Sequence, residues 1–172
     1  GGRIIDCAFE DKETKDISYR LAEAKIDIIE VGFLRDWRKV NYQGNSTFFT
    51  DVDQIRPFVN KEKKNTIYTA FIDYGMCDID TLKPYDGTSI DAIRFGFTKK
   101  NYDESKEEVI RWINVIKEKG YKLFIQGVNS LNYTDRELLE IVDMVNSVHP
   151  YSFGIVDTYG AMYMNDVDRL YG

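Results

Sequence analysis

The chain has little of what marks several large classes of protein. It holds two cysteines, Cys7 and Cys77, far apart and without Cys-x-x-Cys spacing. That excludes a disulfide framework and a zinc knuckle and reads as two reduced thiols in a cytoplasmic protein. Its one histidine, His149, precedes Pro150 in a polar stretch and reads as an exposed turn residue rather than a base or ligand. No apolar run is long enough to span a membrane and no signal-peptide pattern opens the chain, so no membrane partner is expected. A net charge of −6 with mixed signs and no Lys/Arg block argues against nucleic acid. No Pro/Ser linker or low-complexity tract divides the 172 residues. They amount to one domain, and the apolar share of 43% is ordinary for a chain with a sizeable core.

What is present is a repeat. Ile26-Asp-Ile-Ile-Glu-Val-Gly-Phe33 aligns without a gap on Ile90-Asp-Ala-Ile-Arg-Phe-Gly-Phe97, with Glu30 opposite Arg94. Both lie in strand-like segments, of which there are five: 26–33, 66–72, 90–97, 121–127 and 152–157. They are short and apolar on both sides, as strands covered on both faces are. Helical periodicity separates them. In 103–119 the apolar residues Val109, Trp112, Ile113 and Ile116 share one face, Asp103 can cap the start and Gly120 is a stop. In 134–147 Thr134 and Glu137 make a capping box, with Leu138, Ile141, Val142 and Val145 as the buried stripe. A weaker stripe in 11–24 runs through Ile17, Leu21 and Ala24, and a further helix is expected near 51–59. The alternation of helix and strand, with the last three strands about 31 residues apart, predicts right-handed βαβ units and a parallel sheet.

A charge inside an apolar strand is costly unless it is paired or functional. In a (β/α)₈ barrel alternate strands feed one interior layer, so Glu30 and Arg94 are expected to meet at one height as a bidentate pair. Gly32 and Gly96 then leave room above them. Gln126, Asn129, Asp157 and Thr158 extend the polar set towards the C-terminal strand ends, where such folds place their chemistry. The plainer reading is a buried salt bridge that fixes register. Arg35 opens a long connection, Leu34 to Thr50, rich in Arg, Asn, Tyr and Trp; a βα loop of that length reads as a lid or binding loop rather than a surface insertion. Asp6, Glu10, Asp11 and Glu13 read as a solvated helix start, and the 12 Tyr and 10 Phe mostly as core filling.

Three segments carry a family resemblance. Gly1-Gly2-Arg-Ile-Ile-Asp-Cys-Ala-Phe9, Ala24-Lys-Ile-Asp-Ile-Ile-Glu-Val-Gly-Phe-Leu-Arg-Asp36 and Val156-Asp-Thr-Tyr-Gly-Ala-Met-Tyr-Met-Asn-Asp166 resemble the DRE-TIM metallolyase superfamily, which includes 3-hydroxy-3-methylglutaryl-CoA lyase and isopropylmalate synthase. The last segment is similar to the pattern of 4-hydroxy-2-oxovalerate aldolase. The resemblance implies a TIM barrel and metal-dependent aldol or Claisen chemistry on an α-keto acid, through a metal-bound enolate held by Mn²⁺ or Mg²⁺. Residues 1–172 match only part of that barrel. The first strand and the last two are missing from the match, and with them the family's Arg-Asp and His-x-His. The chain is therefore expected to be an incomplete barrel of about five parallel (β/α) units. It is expected to hold no complete catalytic set and no metal ligands of its own, and to be inactive as a fragment of an aldolase-type lyase. The pocket wall is what carries over: Glu30, Arg35, Arg94, Gln126, Asn129, Asp157 and Thr158. Exposed barrel edges predict self-association. The alternative is a non-catalytic binding or assembly module with a half-barrel or flavodoxin-like fold. Against the flavodoxin form, no glycine-rich phosphate loop follows the first strand, where Phe33-Leu-Arg-Asp stands instead.

Overall fold

The computed structural model describes residues 8–36, 47–62 and 65–171. Six parallel strands form one open sheet. They are β1 (Ile28–Leu34), β2 (Phe48–Phe49), β3 (Ile67–Asp73), β4 (Ala92–Thr98), β5 (Lys122–Val128) and β6 (Ser152–Ile155), in the order β2-β1-β3-β4-β5-β6. The five longer strands, all anticipated from the sequence, follow one another in chain order, as in a barrel that has not closed. Only the two-residue β2 lies on the other side of β1, beside Phe33 and Leu34. The helices are α1 (Asp11–Glu23), α2 (Lys99–Glu118), α3 (Asp135–Val148) and α4 (Met164–Tyr171).

The two faces of the sheet differ. One carries Ile29, Tyr68, Ala70, Ile72, Ile93, Phe95, Leu123 and Ile125, which merge with Val109, Trp112, Ile113 and Ile116 of α2 and Ile141 and Val145 of α3 in one core. Each of the Ile, Leu, Val and Phe side chains contributes about 2 kcal/mol by leaving water. The other face carries Glu30, Phe71, Arg94, Phe124 and Gln126. A doubly wound fold would have helices on both faces and a reversal among its main strands; among the described residues no helix covers the second face and the five longer strands show no such reversal.

Several local expectations change. Helix α2 begins at Lys99, not Asp103: the Thr98 hydroxyl accepts from the Asn101 N–H and Asn101 Oδ1 accepts from the Thr98 N–H. A break at Ser105 (φ −147°, ψ 41°) separates that first turn from the apolar stripe, so periodicity saw only the later part. Asp103 instead receives Lys99 at 2.6 Å. Gly120, at φ +88°, ends the helix as anticipated. The Thr134–Glu137 capping box forms, whereas Val142 is exposed and Met144 and Val148 take the buried positions.

The alternation of helix and strand fails twice. Residues Val52–Phe58 form a 3₁₀ helix capped by Asp51 with Pro57 inside it; the ring removes a donor that an α-helix would use. Between β3 and β4 there is only a 3₁₀ turn, Ile79–Thr81. Gly75, Pro84 and Gly87 interrupt that segment, and buried Ile79 and Leu82 fill the helix layer in its place.

Helix α1 is rotated from its predicted face. Ile17 and Leu21 are exposed, and Thr14, Ser18 and Ala22 are buried. Small side chains let the helix lie close to the 52–58 turn, where Ser18 Oγ donates to the Phe58 carbonyl at 2.6 Å. Its start is acidic as read, with Glu10 N–H on Glu13; Asp6 lies outside the described residues. Core filling accounts for Tyr68, Tyr102, Tyr121 and Tyr133, but Tyr151, Tyr159, Tyr163 and Tyr171 are exposed. No described helix is long and apolar enough to cross a membrane. His149 is exposed in the left-handed region at the end of α3. Cys77 is a thiol, and Cys7 lies outside the described residues.

Candidate functional site

The uncovered face of the sheet is built around Arg94. Its Nε lies 2.5 Å from Glu30 Oε2 and its Nη2 lies 2.8 Å from Glu30 Oε1. Its Nη1 donates to Gln126 Oε1. Phe71 stands between the two ion-pair strands, level with Arg94 in the ladder, and the guanidinium carbon sits 3.9 Å from the centre of its ring. Three strands and an aromatic floor thus hold one cation in a fixed plane. Side-chain exposures of 27% for Arg94 and 32% for Glu30 leave the pair half sunk in the sheet and reachable from it.

Glu30 and Arg94 are not level in the ladder, although the sequence repeat aligns them. Glu30 pairs in register with Thr69, and Thr69 with Ala92, two residues before Arg94. The stagger is what tilted parallel strands impose, and two long side chains span it. The glycines do not leave empty space either. A Cβ on Gly96 would come within 2.8 Å of the Phe71 ring, and one on Gly32 within 2.3 Å of the Thr47 carbonyl oxygen. Gly96 makes room for the aromatic floor, and Gly32 for the chain entering β2.

A bulge in β1 extends the site. The register shifts between Glu30 and Gly32, so that Phe33 comes level with Phe71. Without the extra residue, Phe33 would turn to the helix side with Ile29 and Val31. As it is, Phe33 packs edge-on against Phe71 and Phe48, with centroids 5.6 and 5.3 Å away. Arg35, just beyond β1, lies over both outer rings, 4.5 Å from Phe33 and 5.1 Å from Phe48. Its Nη2 reaches Asp73 Oδ2 at 2.6 Å. Asp73 was not among the residues singled out from the sequence. It closes the apolar run of β3, the position in a strand that drew attention to Asp157, and the expected strand stopped one residue short of it.

The remaining sequence candidates form a separate rim at the ends of β5 and β6. Asn129 is in the left-handed region, and its N–H donates to Thr158 Oγ1 at 2.8 Å. Asp157 is exposed and accepts from the N–H groups of Ala161 and Met162 at 2.8 and 3.0 Å. Those bonds, Met162's first, hold its carboxyl below the usual carboxylate range. Its oxygens therefore organise the 157–162 turn, and no hydrogen bond among the described residues joins this rim to Arg94. The loop after Asp36 lies outside the described residues until Thr47.

No protein-family model and no curated protein matches the chain. Among solved structures, the chain is similar to one described as the "N-terminal domain of a putative aldolase" from Bacteroides vulgatus. The TM-score is 0.69 at 18% identity, over 99% of this chain and 55% of that one. The likeness is one of fold alone, at an identity too low to carry a role. The chain spans about half the length of this neighbour.

Proposed function

We propose that this chain forms the substrate-binding wall of an aldolase-type lyase, in which Arg94 holds the carboxylate of an α-keto acid. The observation that carries the reading is the state of Arg94. A guanidinium has five N–H donors; Glu30 takes two and Gln126 one. Among the described residues one donor on each terminal nitrogen is left, on a face that no described helix covers. Glu30 sets the plane, Gln126 fixes the tilt, and Phe71 keeps water off one side. Donors fixed in advance lose little freedom when an anion arrives and can follow charge that develops on an enolate. The fold likeness to an aldolase domain and the DRE-TIM resemblance supply the reaction class, carbon–carbon cleavage or condensation.

The family resemblance brings a divalent metal, Mn²⁺ or Mg²⁺, into this proposal. The described residues do not fit one: no three His, Cys, Asp or Glu side chains among them are grouped to hold an ion. Asp73 is taken up by Arg35 and Asp157 by its own turn. The role we propose for Arg94 and its partners is binding and orientation of the acid. Self-association through the sheet edges belongs to the same proposal, since β6 ends the sheet and α4 beyond it has no buried residue.

Exchange of the methyl protons of pyruvate for deuterium tests the reading, because it needs a bound keto acid but no acceptor. In the intact native protein supplied with Mn²⁺, exchange is expected above the solution rate. It should fall about tenfold or more in Arg94→Met, the loss of one hydrogen bond to a charged group. Equal exchange in both proteins would overturn the assignment.

A further inference from the structure

We infer that Arg35, held by Asp73, is a second anion-binding point, and that it takes the distal carboxylate of a keto acid bearing two carboxylates. The inference rests on the reading of Arg94 as the site of the first carboxylate. Arg35 uses one of its five donors, Nη2, on Asp73. Its Nε is buried without an acceptor. Buried donors in folded proteins are nearly always satisfied, and a side chain placed here for packing alone would carry no such group. The two N–H groups of Nη1 make no hydrogen bond among the described residues, and 20% of the side chain remains exposed. Phe33 and Phe48 line the guanidinium and hold it in a low-dielectric setting where a hydrogen bond to an anion is strengthened.

The position fits a two-ended ligand. Phe71, Phe33 and Arg35 form a continuous line of ring contacts that starts under Arg94. Asp73 lies two residues beyond Phe71 on β3, about 7 Å further along the strand. A short dicarboxylic chain laid over the aromatic line would place one carboxylate on each arginine. Each arginine already has one carboxylate partner in the fold, so the pocket is close to neutral before ligand binds. It would therefore distinguish ligands by where their oxygens lie rather than by charge alone.

Calorimetric titration with 2-oxoglutarate and with 2-oxovalerate, in which a methyl group replaces the distal carboxylate, tests this. The wild type is expected to bind 2-oxoglutarate about tenfold tighter, the value of one charged hydrogen bond. Arg35→Gln should bring the two probes within about twofold, and Arg94→Met should weaken both. Asp73→Asn, which removes a competing carboxylate, should strengthen 2-oxoglutarate alone and keeps the test open should Arg35→Gln fail to fold. Equal binding of both probes by the wild type would overturn the second site and leave the Arg94 reading standing. Binding of neither would overturn both.

Discussion

Replacing the Glu30–Arg94 pair in steps separates a clamp from an ordinary surface bridge. Breaking a fully buried ion pair by removing one partner costs about 3–5 kcal/mol, and an exposed pair is worth about 0.2–1 kcal/mol. With 27% and 32% of the side chains exposed, Glu30→Leu and Arg94→Met should each cost about 2 kcal/mol. For a chain of 172 residues that is a melting temperature lower by about 4–8 °C. The double variant leaves an apolar pair against Phe71 and strands no charge. It should cost about as much as either single change, giving a coupling energy of about 2 kcal/mol. Urea unfolding of the four proteins reads this directly. If the two single losses simply add, the pair is uncoupled, and the argument that Glu30 fixes the plane of Arg94 is wrong.

Three further outcomes follow from the geometry. Gly32→Ala meets the Thr47 backbone at 2.3 Å, whereas Gly96→Ala meets the far end of the Phe71 ring at 2.8 Å. The first should lose about 3 kcal/mol and the second about 1 kcal/mol by urea unfolding, with Phe71 displaced from Arg94 in the second alone. Glu137 has its pKa lowered from 4.5 to about 2, first by Lys99 and then by the N–H and hydroxyl of Thr134. Its contribution is present above pH 4.5 and is lost as pH falls towards about 2, so the urea midpoint of Glu137→Gln should vary less across that window. Sedimentation should show the chain as a dimer or larger, and a monomer at all concentrations would remove the edge-association proposal.

The sheet was legible because its strands are uniform apolar runs and their spacing repeats. The ion pair was legible for a related reason, since a charge at the same offset in two similar strands stands out against apolar neighbours. Its geometry was less so: the repeat aligns Glu30 with Arg94, but the ladder staggers them. Arg35's partner was not legible, because the meeting with Asp73 depends on the bulge in β1, which turns Phe33 to the inner face. A period-two reading places Phe33 on the wrong side. Helix α1 misled for the opposite reason. Its exposed Ile17 and Leu21 outscore Thr14 and Ser18 as core candidates, yet close packing on the 52–58 turn favours the small polar pair. Between β3 and β4 the breakers Gly75, Pro84 and Gly87 override the alternation, and only a 3₁₀ turn forms.

The most direct test of the account is a titration of the chain with pyruvate, following the Nε–Hε resonance of Arg94 by NMR and assigning it by its loss in Arg94→Met. The account predicts a signal already protected from exchange by Glu30 and shifting saturably as pyruvate binds. A resonance that does not move, while pyruvate binds elsewhere or not at all, would contradict it.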